Sequence, residues 1–263
     1  MSFEELRRDF ERKGIDVSAP GFYDQPAFRA SETLDLYAEF VLAQPYSAEY
    51  LAYAKSEVEA LTRFIFEQVQ RSGRVGACVD ASELIQRLLE RRGVWCFTVK
   101  GGVTIHYKSE GANLPDGYYW PWSLNGQYDA GHCWVVAPPY QLIDATIYLE
   151  TYLNGEQAYL PQRVLEEHPQ PGNVEAVDIM MYDEFWQVTG EEMTLESIAR
   201  RDPTLLPRIE KWGVKLADYP RCTIKYIPVD MSASQYRLEE MEDNIECGTL
   251  PTELLKEYEA SRS

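Results

Sequence analysis

The sequence predicts an α+β fold built around one antiparallel sheet. Apolar residues recur at helical spacing within residues 1–70 and again after residue 77, whereas short apolar runs separated by glycine and proline follow from residue 94. The 263 residues, 45% of them hydrophobic and 13% aromatic, are enough to form one large core. We therefore expect a single domain with a helical N-terminal part (1–70), a central part (71–150) and an α/β C-terminal extension (151–263).

The N-terminal part is predicted to contain three helices. The first runs from Phe3 to about Lys13 and stops at Gly14, and the other two span 31–44 and 47–70. A loop that contains prolines and a glycine separates the first helix from the second. The third helix carries apolar residues at helical spacing, which we expect to face the core: Leu51, Ala54, Val58, Leu61 and Ile65.

The central part begins with a polar turn and a helix over 77–93, which ends at Gly93 and has an apolar face and a charged face. Four strands follow, the first two interrupted by Gly101-Gly102 and the last two joined by Pro138-Pro139. Their predicted bounds are 94–99, 103–107, 132–137 and 140–147. In the extension we expect helices over 180–188 and 195–201, a strand over 222–229 and an acidic helical tail.

The net charge of −18 limits the classes of partner that the protein is expected to bind. No basic stripe is present, so a nucleic-acid partner is not expected, and an anionic membrane surface would repel the chain. No run of about 18 apolar residues and no secretory signal are visible, which predicts a cytoplasmic protein without a membrane span. The acidity has two interpretations: a solvated surface that maintains solubility, or attraction to a basic protein or peptide substrate.

The cysteines and histidines do not have the spacing of a metal site. Five cysteines are scattered without a CxxC pair, which also argues against a disulfide framework and fits a reducing cytosol. The three histidines are far apart, and the acidic clusters lack the alternating pattern of a calcium loop. We therefore expect no metal and no cofactor. The residues concerned are Cys78, Cys96, Cys133, Cys222, Cys247, His106, His132 and His168.

Cys78 is the candidate nucleophile. It lies where a glycine-bearing turn meets the start of a helix, and the unpaired N–H groups and partial positive charge of a helix N-terminus stabilise a thiolate. The alternative is that Cys78 is simply a small buried apolar residue. Its backbone N–H is also a candidate oxyanion donor, with a side chain upstream, Gln68 or Gln70, as the second.

His132 and Asp144 are the candidate partners of this thiol. His132 opens a predicted strand directly after Gly131, and Asp144 lies among apolar residues, where a carboxylate needs a partner. A tight hairpin centred on Pro138 would set the two residues directly opposite each other. Asp144 would then hold one imidazole nitrogen and leave the other for the Cys78 proton. The alternative is an ordinary hairpin with a polar end.

These segments resemble the transglutaminase-like superfamily. GACVDASELIQRLLERRGV followed by FTVKGG is similar to its nucleophile segment, GHCWVV to its His-x-Trp strand and LIDAT to its Asp-x-Thr strand. The likeness covers about Gly76 to Thr146 and keeps the family order Cys, His, Asp. It implies a papain-like catalytic core over 71–150, in which the cysteine helix packs on an antiparallel sheet that carries the histidine and the aspartate.

The resemblance implies a cysteine-dependent enzyme that acts on amide bonds through a thioester, as a peptidase, amidase or deamidase. The alternatives are a protein-glutamine transglutaminase and a non-catalytic binding protein on the same fold. An arylamine N-acetyltransferase is disfavoured because the segment from Arg74 to Cys78 lacks one glycine of that family's motif. The aromatics Tyr119, Trp120 and Trp122, in an apparent insertion over 108–130, are candidates for a substrate groove; the alternative is a loop folded over the core.

Overall fold

The described residues of the first half of the chain form five α-helices. A computed structural model describes residues 1–108, 114–123, 131–241 and 249–262. The helices are α1 (Phe3–Arg12), α2 (Pro26–Ser31), α3 (Leu34–Ala43), α4 (Ala48–Ser72) and α5 (Cys78–Arg91). The side chains of Ser2 and Ser47 cap α1 and α4, and Gly73, at φ 69°, follows α4 as its C-cap. The predicted helices are confirmed, but α2 was taken for loop: its proline stands in the first turn, where no backbone donor is needed.

The strands form one sheet in which every pairing is antiparallel. The strand order is β5-β4-β3-β1-β8-β7-β6, and β2 pairs with β1 outside this path. Strands β1 to β4 come from the predicted central part, and β5 to β8 come from the predicted extension. Their bounds are β1 (Phe97–Tyr107), β2 (Gly117–Tyr119), β3 (His132–Ala137), β4 (Tyr140–Asp144), β5 (Val164–Glu166), β6 (Gln170–Pro171), β7 (Lys215–Asp218) and β8 (Cys222–Ser232).

The second half of the chain adds five more helices among the described residues. They are α6 (Ala176–Ile179), α7 (Tyr182–Thr189), α8 (Leu195–Arg201), α9 (Leu205–Trp212) and α10 (Pro251–Arg262). The helices expected over 180–188 and 195–201 and the strand expected over 222–229 are confirmed; α6, α9, β5, β6 and β7 were not predicted. The tail helix is confirmed as α10, while 242–248, with Cys247, lie outside the described residues.

Helices cover the sheet on both faces. Apolar side chains of α1 to α3 pack with those of β1, β3 and β8, whereas α4, α5 and α10 pack on the other side of β3 and β4. A third cluster joins α7 to α9 to the C-terminal half of β8. The predicted mixture of helices with one antiparallel sheet is therefore confirmed. Among the described helices, none has the length and apolar content needed to cross a bilayer.

Strand β1 is continuous, which corrects the prediction of two strands broken at Gly101-Gly102. At both positions the neighbouring atoms leave no room for a side chain, so the glycines mark close packing within the sheet rather than the end of a strand. A Cβ on Gly101 would lie 2.2 Å from the carbonyl oxygen of Ile227 and 2.5 Å from the Trp134 ring. The pairing with β8 shifts register at this point, so the glycine allows both a bulge and the approach of the indole.

This crowding gives a stability prediction. Gly101→Ala should lower the free energy of unfolding by about 1–3 kcal/mol, because backbone and a buried ring must both move. Gly117→Ala is the matched control, since a Cβ there meets nothing closer than 3.5 Å. It should change the stability by less than about 1 kcal/mol. Urea unfolding of both variants measures the difference, and equal midpoints would contradict the close approach.

Candidate active site

Cys78 is the first residue of α5, as the sequence predicts. Gly76, two residues earlier, has φ 67°, a conformation that favours glycine, and Ala77 gives the helix no side-chain cap. An ion pair between Arg74 and Asp80 ties the turn to the first turn of the helix. Cys78 is 6% exposed, whereas Cys96, Cys133 and Cys222 are fully buried. Among the described thiols, Cys78 is therefore the one that a reagent reaches most easily.

His132 and Asp144 are in contact, but not through the predicted register. The turn occupies both Pro138 and Pro139, and β4 carries one extra residue between the pairs Ala137–Tyr140 and Val135–Ile143. Asp144 therefore lies diagonal to His132 on the same face rather than opposite to it. The prediction of direct pairing was wrong. Diagonal neighbours still reach each other, and Nε2 of His132 lies 2.8 Å from Oδ2 of Asp144.

Every oxygen of the Asp144 carboxylate has partners. Oδ1 accepts the backbone N–H of Thr146 at 2.8 Å, that of Ile147 at 3.0 Å and the Thr146 hydroxyl at 3.1 Å. Oδ2 accepts the Tyr226 hydroxyl from β8 at 2.9 Å in addition to the imidazole N–H. The loop bonds end β4 at Asp144, so the predicted strand over 140–147 is too long.

The charges of the buried pair support each other. Burial opposes the charged form of His132, but Asp144 and the nearby Cys78 thiol outweigh it and hold the pKa of His132 well above its usual range. Burial likewise opposes ionisation of Asp144, yet the imidazolium and the hydrogen bonds from His132, Thr146 and Tyr226 lower its pKa. Asp144 is therefore the charged partner that favours an imidazolium.

Glu150 is a member of the site that the sequence analysis missed. Its Oε1 lies 3.7 Å from Nδ1 of His132, the nitrogen that does not face Asp144. Both atoms are buried and neither makes a hydrogen bond of good geometry among the described residues. Burial raises the pKa of Glu150, although the His132 charge acts in the opposite direction. The donor atoms of Cys78, His132 and Glu150 all lie within 4.8 Å of one another, so these three residues are also the candidate metal ligands.

Among the predicted substrate-binding aromatics, Tyr119 lies next to the site, Trp120 approaches it through its backbone, and Trp122 lies elsewhere. Tyr119 has its ring 5.9 Å from that of His132, and a Cβ on Gly131 would lie 2.3 Å from the carbonyl oxygen of Trp120. Trp120 is fixed by its indole N–H, which donates to the carbonyl of Val177 at 2.7 Å. Trp122 is buried in the cluster of α7 to α9, so its placement is that of a core residue. Residues 109–113 and 124–130 of the predicted insertion lie outside the described ranges.

The candidate oxyanion donors are placed differently. Gln68 is buried on α4 with an amide nitrogen that lacks a partner in the described structure, whereas Gln70 is exposed and lines a cleft of about 320 Å³ together with Arg74 and Glu150. This cleft is therefore open beside the Cys78 site.

A larger cavity, of about 630 Å³, is lined by Phe97, Trp212 and Met231 among others. Its lining does not include Cys78, His132 or Asp144.

The two remaining histidines lie apart from this site. His106 pairs with Asp116 at 2.9 Å on the surface, and His168 is exposed, as expected.

Comparison of the chain with protein-family models, with curated proteins and with solved structures finds no match. The candidate role of each residue therefore follows from its geometry alone.

The role of Asp144 can be tested by Asp144→Asn. In the native pair the imidazole donates Nε2–H to Asp144, which leaves Nδ1 as the base; opposite an asparagine amide, Nε2 becomes the acceptor and the proton moves to Nδ1. We expect alkylation of Cys78 by iodoacetamide to slow at neutral pH and its pH profile to move upwards. A lower melting temperature together with an unchanged pH profile of Cys78 alkylation would mean that Asp144 has only a structural role.

Asp178→Asn is the matched control for that experiment. Asp178 is also buried, and it accepts hydrogen bonds from Thr104 at 2.7 Å and from Lys225 at 2.9 Å, outside the site. This substitution should lower the melting temperature, because it breaks a buried pair, and should leave the Cys78 alkylation profile unchanged.

Proposed function

We propose that the protein is a cysteine-dependent acyl-transfer enzyme that acts on amide bonds. The observation that carries this proposal is the meeting of three side chains from distant segments: Cys78 at a helix start, His132 within reach of it, and Asp144 bonded to the far nitrogen of the imidazole at 2.8 Å. In this order the residues are a nucleophile, a base and the group that orients the base.

The chemistry follows from the positions of the groups. The Cys78 thiol gives its proton to Nδ1 of His132, and the sulfur adds to the carbonyl carbon of an amide. The oxyanion that forms would be held by backbone N–H groups at the start of α5, which Ala77 does not cap with its side chain. The imidazolium then protonates the leaving amine or ammonia, and a thioester remains on Cys78.

A second acceptor resolves the thioester. Water, deprotonated by His132, adds to the thioester carbonyl, releases a carboxylic acid and returns the thiol; this is peptidase, amidase or deamidase chemistry. An amine in place of water would give a transglutaminase product. Hydrolysis is our first choice of the two.

The resemblance to the transglutaminase-like superfamily agrees with this arrangement. The nucleophile helix α5 packs on β3 of an antiparallel sheet, and β3 and the adjacent β4 carry His132 and Asp144, as a papain-like core would require. An arylamine N-acetyltransferase remains the weaker enzyme alternative. A non-catalytic binding protein is disfavoured because a site without selection for chemistry has no reason to keep Cys78, His132 and Asp144 together.

The substrate class and the compartment belong to the same proposal. A protein or peptide substrate fits an amide-directed nucleophile, and the formal charge of −18 favours a basic one. Tyr119, beside His132, and the cleft that Gln70 and Glu150 line are the surfaces that such a substrate would meet first. The scattered cysteines, without a CxxC pair in the sequence, fit the cytoplasm.

Selective labelling tests the nucleophile before any substrate is known. Limiting iodoacetamide near neutral pH should modify Cys78 ahead of the other thiols, because it is the accessible described thiol and its base lies beside it. Peptide mapping by mass spectrometry measures the order. A His132→Ala variant should lose this preference, whereas His168→Ala, at an exposed histidine, should keep it. Preferential labelling of Cys96 or Cys222 would remove the basis of the proposal.

Turnover is the decisive test. Incubation of the purified protein with a library of basic and acidic peptides, read by mass spectrometry, should reveal cleavage, deamidation or incorporation of an added amine. Once a product is found, His132→Ala should reduce its rate by about 10²–10⁴-fold, because general base catalysis is lost. Cys78→Ala should abolish it. Undiminished turnover in Cys78→Ala would exclude the thiol mechanism.

A further inference from the structure

The site holds more acidic groups than a thiol nucleophile needs. Asp144 already occupies Nε2 of His132, yet Glu150 points a second carboxylate at the opposite nitrogen, with Oε1 3.7 Å from Nδ1. Glu150 is 8% exposed and His132 is fully buried. Among the described residues, neither of the two facing atoms makes a hydrogen bond, although Cys78 is close to both. Buried polar atoms without a hydrogen bond need an explanation, and a bound ion or water between them is one.

The three donors are of the types that zinc prefers. Thiolate sulfur, imidazole nitrogen and carboxylate oxygen bind Zn²⁺ at about 2.0–2.3 Å, and tetrahedral donors at those lengths lie about 3.3–3.7 Å apart. A nitrogen and an oxygen at about 2.0–2.2 Å from zinc lie about 3.3–3.5 Å apart, so the observed 3.7 Å between Nδ1 and Oε1 is slightly longer than in a zinc-bound pair. The three donor atoms lie within 4.8 Å of one another, so a contraction of about 1 Å would complete the set.

The surroundings of His132 also match a metal ligand. An imidazole that binds a metal through one nitrogen usually donates the other N–H to a carboxylate, which fixes the ring and raises its basicity. Asp144 provides that bond at 2.8 Å and is itself held by Tyr226 and the backbone after β4. Calcium and magnesium prefer all-oxygen sites, so a thiolate and an imidazole select a softer ion.

We propose that Cys78, His132 and Glu150 bind one zinc-class divalent ion, with a fourth position left to solvent, and that the bound ion switches off the Cys78 nucleophile. Binding exchanges the thiol proton for the metal: the S–H bond breaks, a sulfur–metal bond forms and the proton leaves to solvent. The bound state has no free thiolate and no free Nδ1. The metal site stands by itself, whereas the switching-off rests on the proposed function.

Cobalt absorption tests the site directly. The full chain, freed of metal with a chelator that is then removed, is titrated with Co²⁺. We expect one equivalent to produce a sulfur-to-cobalt charge-transfer band, which Zn²⁺ then displaces. Cys78→Ala should lose the band. Asp144→Asn should weaken Co²⁺ binding by about 10–100-fold through the orientation of the imidazole, and Glu150→Ala should weaken it at least as much.

Matched variants separate this site from other thiols and histidines. Cys247→Ser and His168→Ala change residues that the proposal does not use, and both should keep the band and its stoichiometry. Circular dichroism of each variant checks that the chain is folded. Absence of the band in the folded wild type, or its survival in folded Cys78→Ala, would overturn the metal site.

Labelling with iodoacetamide distinguishes the two proposals. Protection of Cys78 by one equivalent of Zn²⁺, reversed by a chelator, supports both the site and the switch. Selective labelling of Cys78 without any effect of Zn²⁺ would leave the nucleophile standing and overturn the metal inference. A turnover that requires Zn²⁺ would support the metal site but overturn the switch, together with the metal-free thiol mechanism.

Discussion

The buried carboxylate of Asp144 is the constraint on which the site depends. A charge in the interior is tolerated only when it is paired and hydrogen-bonded, and the partners of Asp144 come from three places: β3, β8 and the turn that follows β4. Each partner fixes one part of the architecture. The imidazole fixes β3 beside β4, the backbone donors end β4, and Tyr226 joins the C-terminal half of the chain to the site.

The Tyr226 contact requires a curled sheet. In the strand order, β3 and β1 lie between β4 and β8, and neighbouring strands are about 4.8 Å apart, so a flat sheet would keep Tyr226 far from Asp144. Curling closes that distance, and Trp134 fills the concave side, with its ring centroid 5.1 Å from that of Tyr226. Gly101 is the residue on β1 that makes room for this indole. Gly101 is thus part of the same arrangement as Asp144 and Tyr226.

Local patterns in the sequence predict the parts of this site but not their assembly. Cys78, His132 and Asp144 can be found because a glycine before a helix, a histidine at a strand start and an aspartate in an apolar run are short-range signals. The hairpin register cannot be found in this way, because a one-residue bulge in β4 leaves no mark in the sequence. Gly101-Gly102 led to the wrong prediction of a strand break for a related reason. Two consecutive glycines in an apolar run are compatible with the end of a strand and also with close packing inside one.

Glu150 and Tyr226 were missed because their roles are set by distant contacts. Tyr226 belongs to a strand that is recognisable as a strand, yet only the sheet order shows that its hydroxyl reaches Asp144. Glu150 follows a short helical turn, Ile147–Leu149, and nothing near it in the sequence indicates a carboxylate that faces an imidazole. The one available hint was its place at the end of an apolar run, where a carboxylate is costly unless something pairs with it.

The two carboxylates on either side of His132 differ in environment, and this difference assigns their roles. Asp144 has hydrogen-bond donors on both oxygens, which outweigh its burial and lower its pKa, so it stays charged and orients the ring. Glu150 is buried with fewer donors, and burial raises its pKa. Because Glu150 holds its proton more readily, it can leave Nδ1 of His132 free to accept the proton of Cys78. When a cation binds in place of the proton on Glu150, the carboxylate can act as a ligand. The same geometry is therefore compatible with both proposals: a thiol nucleophile in the absence of the ion and a metal site in its presence.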